Sequence, residues 1–221
     1  MLYLQDEFIV IGERQFDFED AVRDVYAPTI ADDDTRLLSY HHAVHGSAEG
    51  YYVALLTAVR DGAALDRLTV RLRRGDLATY STHIATMNYW CHSSLLVRAD
   101  WAGGPEPDLA AIPVADVDHP TALFRGDAFD GRGINAALAA GFGDHRSSDQ
   151  VLTFEAAYRP ALDADTAARV LYRIDDIDAF TDAWRTDTGW TDWTGSLTPR
   201  VPEGVRMTGR YLRSAPWSPL P

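Results

Sequence analysis

The amino-acid sequence predicts an α+β protein made of two tandem ferredoxin-like βαββαβ units, whose antiparallel sheets pack into an α+β barrel. One observation behind this prediction is internal repetition. Residues 50–61 are similar in pattern to residues 168–176, and residues 95–101 return at the same offset as residues 211–217. The second observation is that strand-like and helix-like patterns follow one order in both halves. A constant offset shared by two strands indicates a duplicated unit.

A segment in the middle of the chain separates the two halves. Residues 102–118 contain several glycines and prolines and few large apolar side chains, which is typical of a linker. We therefore predict a first unit at residues 1–101 and a second, more degenerate unit at residues 119–221.

The patterns of the first half predict a strand, a helix, a hairpin of two strands, a long helix and a final strand. Alternating β-forming residues define the strands, and apolar residues at helical spacing define the helices. Asp61 is a natural N-cap of the long helix, and Gly75–Asp76 interrupts it. These elements fall at residues 2–11, 17–28, 35–45, 50–60, 61–87 and 94–101.

The second half predicts the same order with weaker signals. Its first helix is rich in glycine and alanine, whereas its second helix begins clearly after Asp175–Asp176. The elements fall at residues 121–129, 133–142, 150–159, 168–174, 177–184 and 205–214.

Composition and charge limit the classes of partner. A net charge of −13 argues against a nucleic acid or an anionic membrane, since either would require a basic face. The lone cysteine, Cys91, is typical of a reducing compartment. The first residues lack the basic and apolar stretches of a secretory signal, and no apolar run approaches the roughly 18 residues of a membrane helix. We expect a cytoplasmic protein without nucleic-acid or membrane partners, and we leave a homodimer open.

Three histidines within five residues mark the second predicted strand: His41, His42 and His45. The corresponding stretch of the second half, residues 154–158, has none. Histidine can act as a general acid or base near neutral pH, so all three are candidate catalytic residues.

Strand alternation places His41 and His45 on one side of the sheet and His42 on the other. The register of His42 is the more apolar and should pack on helices, which leaves His41 and His45 facing a cavity on the helix-free face. A β-bulge near His42 would reverse part of this assignment.

Polar side chains of the first and third strands should join the histidines. Tyr3, Gln5 and Glu7 share one face of the first strand, opposite the apolar register. Glu7 in an apolar cavity could have a raised pKa and act as a base. Tyr52 on the neighbouring hairpin strand could donate a hydrogen bond to an oxyanion. We predict Glu7 and Tyr52 as catalytic residues, and Tyr3 and Gln5 as substrate-binding residues.

Further substrate-binding candidates lie on or after the long helix. His83 occupies its second half, where it could reach the edge of a cavity or face solvent. Tyr89 and Trp90 follow the helix and could line a pocket or anchor a loop beneath the sheet.

The spacing of the candidate residues does not predict a metal site. On a flat strand, His41 and His45 would lie about 13 Å apart, too far to share one zinc ion. Phosphate-binding loops, dinucleotide fingerprints, nucleophile elbows and His-Glu-x-x-His motifs are missing from the sequence. We expect an enzyme without a cofactor or a metal.

The first half resembles the NIPSNAP branch of the dimeric α+β barrel superfamily. The resemblance is carried by the opening residues 2–8, by His45–Gly46, by residues 53–61, by the break at Gly75–Asp76 and by the ending at residues 216–220. It covers residues 1–101, and in the second half it is limited to strand order and the ending. The resemblance implies a cavity-bearing fold. Members of the superfamily include cofactor-independent monooxygenases, cyclases, isomerases and haem enzymes.

Three functions fit these residues. The first is a cofactor-independent cyclase or isomerase of bacterial specialised metabolism, which would act on a hydrophobic polyketide-like or aromatic carbonyl compound through histidine or Glu7. The second is a cofactor-independent monooxygenase, in which the same base forms a carbanion that reacts with oxygen. The third is a non-catalytic ligand-binding protein. The first proton transfer is shared by both enzymes, so the sequence does not separate them.

Overall fold

The computed structural model describes residues 1–44, 50–115, 117–142, 152–163, 165–185 and 203–220. The chain divides into two compact units. Unit 1 comprises Met1–Leu96, Pro105–Thr121 and Leu212–Pro221, and unit 2 comprises Val97–Gly104 and Ala122–Tyr211.

Unit 1 has the order βαββαβ. Its elements are β1 (Leu2–Val10), α1 (Gln15–Ala21), α2 (Ala27–Ile30), β2 (Thr35–Ala43), β3 (Tyr51–Val59), α3 (Gly62–Arg74), α4 (Ala78–Ala85) and β4 (Asn88–Arg98). A π-helical turn, Val22–Tyr26, joins α1 to α2. The strands are antiparallel in the order β4–β1–β3–β2, which is the ferredoxin-like arrangement.

Unit 2 repeats this order. Its elements are β5 (Leu123–Asp130), α5 (Ile134–Phe142), β6 (Leu152–Pro160), β7 (Ala167–Ile174), α6 (Ile177–Arg185) and β8 (Arg206–Ser214). The strand order is β8–β5–β7–β6. Strand β8 belongs to unit 2 up to Tyr211, and its last residues, from Leu212, belong to unit 1 and pair with β2.

The predicted order of elements is therefore observed in both halves. The second strand of each unit also carries a register shift, between Leu37 and Ser39 in β2 and between Phe154 and Ala156 in β6. The shared order and the shared irregularity agree with a duplication, which stays a prediction.

Each unit buries one face of its sheet beneath its helices. In unit 1, Phe8 of β1 packs edge-on against Phe18 of α1, with ring centroids 5.0 Å apart. In unit 2, Ile134 and Leu138 are four residues apart on α5 and are fully buried in the same core cluster as the β7 residue Val170. Burial of these apolar side chains is the main stabilising contribution in either unit.

The unit boundaries differ from the predicted ones. Ala99 and Ala102 are buried in the core of unit 2, and the Ala99 amide donates a 2.9 Å hydrogen bond to the carbonyl of Ala157. Leu109 and Ile112, from the predicted linker at residues 102–118, are buried too. The glycines and prolines of this segment lie in irregular stretches between a few well-buried apolar residues, so its composition resembles that of a linker although it packs.

Strand β4 begins at Asn88 rather than at the predicted Ser94. Helix α4 ends at Ala85, and the Asn88 side chain donates a 2.7 Å hydrogen bond to the carbonyl of Ile84. The chain then enters the ladder with β1 directly. Tyr89 and Trp90 therefore lie on a strand and not in a loop.

Among the described residues, none of the helices combines the length and the apolar character needed to cross a membrane.

Candidate active site

A cavity of about 350 Å³ lies in unit 1, between α1 and the adjoining ends of three strands. Gln15 and Glu19 are four residues apart on α1 and therefore point to the same side. Residues of β2 and β3 at alternate positions face them across the cavity. The lining residues are Gln15, Phe16, Glu19, Tyr40, His42, Ala43, Val44, Tyr51, Tyr52, Val53 and Arg213.

His42 lies in the centre of a row of three paired strands. It is directly opposite Val53 of β3 on one side and Arg213 of β8 on the other. Paired residues of antiparallel strands project their side chains from the same face of the sheet. The guanidinium of Arg213 and the imidazole of His42 therefore share this cavity.

The surroundings of His42 favour its neutral form. Burial lowers the pKa of the imidazole; the nearby carboxylate of Glu19 partly opposes this change, and the positive charge of Arg213 adds to it. The half-buried imidazole is therefore neutral at neutral pH and is able to accept a proton.

Glu19 is held by the end of the chain. The indole Nε1 of Trp217 donates a 2.8 Å hydrogen bond to Oε1 of Glu19. The Trp217 ring lies 5.0 Å from the ring of Tyr40, and the Ala215 amide donates to the carbonyl of Tyr40. The residues that follow β8 are thus fixed along β2 on the same face as the cavity.

Aromatic rings form the apolar part of the cavity lining. Tyr40 is buried, whereas Phe16 is 70% exposed and Tyr51 is 39% exposed. The Tyr51 ring lies against Gly12, where a Cβ atom would clash with the ring. Such a cavity, mostly apolar with a few polar groups, is typical of a small-molecule site.

A second polar cluster lies on the helix-free face of the unit 1 sheet. The hydroxyl of Tyr52 donates a hydrogen bond to the carboxylate of Glu7. His41 and Glu7 both pair with Ala54, from opposite sides of β3, so their side chains share this face. All three polar side chains are buried. Burial, with a smaller contribution from His42, lowers the pKa of His41 to about 4.

The structure separates the predicted site residues into three groups. His42 lines the cavity. Tyr52 borders it but directs its hydroxyl to Glu7 on the helix-free face, where His41, Tyr3 and Gln5 also lie. His83 is exposed on α4, and Tyr89 and Trp90 are exposed on β4. His45 lies outside the described residues.

Alternation correctly separated His41 from His42, which pair with the neighbouring β3 residues Ala54 and Val53. The cavity of about 350 Å³ lies beside His42, where α1 meets the ends of β2 and β3. A cavity on the helix-free face, lined by His41 and Glu7, stays a prediction.

Glu19, Arg213 and Trp217 were not among the predicted site residues. They come from α1 and from the end of the chain, far from the histidines in sequence. Only the helical spacing of Gln15 and Glu19 could have suggested that this face of α1 is functional. Within the ranges that the structure describes, no group of three or more His, Cys, Asp or Glu side chains is arranged to hold a metal ion.

No protein-family model matches the sequence, and neither does any curated protein sequence. Solved structures, in contrast, are similar over almost the whole chain. A candidate monooxygenase from Lactobacillus acidophilus is 9% identical with a TM-score of 0.57, covering 96% of this chain and 93% of its own. An anthrone oxidase-like protein is 12% identical with a TM-score of 0.56, covering 97% and 91%. A dye-decolorizing protein from V. cholerae is 13% identical with a TM-score of 0.57, covering 98% and 94%.

These similarities confirm the predicted fold class, an α+β fold of the dimeric α+β barrel type. At such low identities they show the fold alone. Membership of the NIPSNAP branch stays a prediction, since the similarity to a NIPSNAP domain protein from Burkholderia xenovorans covers only 47% of this chain.

Proposed function

We propose that this chain is a small-molecule enzyme that removes a carbonyl-activated proton from an aromatic or hydrophobic substrate, with His42 as the base. The observation that carries the proposal is the position of His42. Its neutral imidazole lines a cavity of about 350 Å³ and lies directly opposite the cation of Arg213. A base and an oxyanion partner in one apolar cavity are the groups that this proton transfer needs.

The chemistry follows from these positions. The imidazole takes the proton from carbon, and the electron pair of the C–H bond moves onto the carbonyl oxygen. Arg213 stabilises the resulting enolate by its positive charge. The rings of Phe16, Tyr40 and Tyr51 offer apolar and π contacts to an aromatic substrate.

The similar structures favour oxygenation as the second step, because two of them are named as a candidate monooxygenase and an anthrone oxidase-like protein. In this reaction the carbanion adds to O2 and is protonated to a hydroperoxide, which then loses water to leave a new carbonyl group. The balance is a CH2 group and O2 converted to C=O and water. The substrate supplies all the electrons, so a cofactor-independent reaction is feasible.

Cyclisation or isomerisation is the second candidate. The same enolate would attack a second carbonyl group of the substrate or be protonated at another carbon, without O2. This alternative is favoured by the pairing of His42 with Arg213, because a base and an oxyanion partner are all that these reactions need.

The experiment measures proton removal separately from the reaction with oxygen. Anthrone, an aromatic ketone with an activated CH2 group, is incubated with the protein in D2O under argon, and exchange of its CH2 protons is followed by NMR. We expect exchange above the enzyme-free rate, and a loss of roughly 100-fold or more in His42→Ala. His83→Ala, which changes an exposed histidine on α4, is the matched control and should keep the exchange rate.

The oxygen requirement is measured next. Under air, a monooxygenase consumes one O2 for each anthraquinone formed, whereas a cyclase or isomerase converts its substrate equally well under argon. Near-native proton exchange in a folded His42→Ala protein would exclude His42 as the base. Binding of anthrone without any exchange would instead indicate a ligand-binding protein.

A further inference from the structure

We propose that Glu19 stabilises the protonated imidazole of His42, and that Trp217 holds Glu19 in position for this role. Both residues act through His42, so they are positioning residues. The role of Glu19 and Trp217 in catalysis rests on the proposed function of His42 as the base. The electrostatic coupling itself belongs to the ligand-free protein and can be measured there.

The first step of the argument is geometric. Glu19 and His42 both line the cavity, one from α1 and the other from β2. Glu19 makes its hydrogen bond through Oε1 to the indole of Trp217, at 2.8 Å. Trp217 is itself buried against Tyr40, so the donor cannot move far. The carboxylate is therefore fixed at one wall of the cavity, with the imidazole at another.

The second step concerns charge. Within the described part of the chain, the charged groups around the His42 imidazole are Glu19 on α1 and Arg213 on β8, and they act in opposite directions. On the β3 side, the His42 imidazole faces Val53, which is apolar. The other titratable side chains of the lining are Tyr40, Tyr51 and Tyr52. His41, the neighbour in sequence, points to the other face of the sheet. Among the residues that the structure describes, Glu19 is thus the one anion of the cavity lining.

The third step connects charge to reaction. When His42 takes a proton, a cation forms beside the cation of Arg213, and the two repel each other. A fixed carboxylate in the same cavity offsets this repulsion. Arg213 is then left to stabilise the enolate, and Glu19 to stabilise the imidazolium. Proton transfer forms an imidazolium and an enolate, and a side chain of opposite charge already lies in the cavity for each of them.

The test is a pH titration of the His42 imidazole protons by NMR, without substrate, with the signal assigned by its loss in His42→Asn. Glu19→Gln keeps an oxygen that accepts from Trp217 but removes the charge. We expect it to lower the pKa of His42 by on the order of half a unit, and Arg213→Gln to raise it. Trp217→Phe keeps an aromatic side chain but removes the indole N–H, so it should lower the pKa of His42 by less.

Trp101→Phe is the matched control. Trp101 also donates an indole hydrogen bond, to Asn135 at 3.2 Å, but it lies in unit 2. This variant should leave the pKa of His42 unchanged. An unchanged pKa of His42 in a folded Glu19→Gln protein would overturn the inference, whether or not Trp217→Phe folds.

The proton-exchange assay adds a separate result. If the proposed function holds, the pH at which exchange is half-maximal should move downward in Glu19→Gln, in step with the pKa of His42. A shifted pKa with no exchange in any variant would retain the electrostatic coupling and reject the proposed function. If His42 is needed for exchange but its pKa does not change in Glu19→Gln, the proposed function is retained and the electrostatic coupling is rejected.

Discussion

Two adjacent histidines of β2, His41 and His42, have different surroundings because a strand turns successive side chains to opposite faces. His42 is half-buried beside a cation and an anion and lines a cavity. His41 is almost fully buried on the other face, in the row that contains Glu7. One residue is therefore accessible for chemistry, whereas the other couples the stability of the fold to pH.

The stability of the fold should fall between pH 6.5 and pH 4 because of His41. The unfolded chain binds a proton at His41 below about pH 6.5, whereas the folded protein holds it neutral down to a pKa of about 4. In this window the unfolded state binds more protons, so the free energy of unfolding rises with pH and is lost as pH falls. The contribution between pH 7 and pH 4 is roughly 3 kcal/mol.

This prediction is checked by urea unfolding at several pH values between 4 and 7, comparing the wild type with His41→Gln. The variant lacks the titrating group, so its free energy of unfolding should vary less steeply with pH. Parallel curves for the two proteins would show that His41 does not have the lowered pKa.

At the scale of elements, the break between α3 and α4 illustrates how one residue ends a helix. Gly75 is the C-cap of α3, and its amide donates to the carbonyl of Arg71 at 3.1 Å. A Cβ atom at Gly75 would lie 2.8 Å from the Arg71 Cα atom, which is backbone and cannot move aside. Glycine is therefore required here by a close backbone approach, and the sequence prediction of an interruption at Gly75–Asp76 is confirmed.

Gly75→Ala should therefore destabilise unit 1, by about 1–3 kcal/mol, the usual range for overpacking at a tight contact. Gly62→Ala is the matched control. Gly62 opens α3 directly after its N-cap Asp61, and a Cβ atom there would meet nothing within 4 Å. Since alanine has the higher helix propensity, this variant should be neutral or slightly stabilised. Thermal unfolding of the two variants measures the difference, and equal melting temperatures would contradict the steric argument.

At the scale of the whole molecule, the chain order and the compact units do not coincide. Unit 1 is completed by Leu212–Pro221, from the far end of the sequence. These residues contribute Ala215 and Trp217 to its core and pair with β2. His119, the first residue of the predicted second unit, donates its amide to the carbonyl of Pro216. The first unit is therefore not an independent N-terminal module.

A chain that ends at Tyr211 should fail to form a stable unit 1. It loses the buried Trp217 and the β8 residues that pair with β2. Removal of one buried tryptophan side chain alone typically costs about 3–5 kcal/mol. We expect a two-dimensional amide NMR spectrum in which resonances of residues 1–96 lose their dispersion. Trp217→Ala in the full chain should lower the melting temperature in the same direction. A fully dispersed spectrum from the shortened chain would contradict the assignment of these residues to unit 1.

The sequence by itself determined the α+β class, the βαββαβ order in both halves, the break at Gly75 and the opposite faces of His41 and His42. These features depend on local periodicity and on turn chemistry, which are visible in a single chain segment. The tertiary structure decided that a cavity lies beside His42, because open space depends on how α1 packs at the ends of β2 and β3. It also brought Glu19, Arg213 and Trp217 to His42, since contacts between residues distant in sequence arise only when strands pair and helices pack.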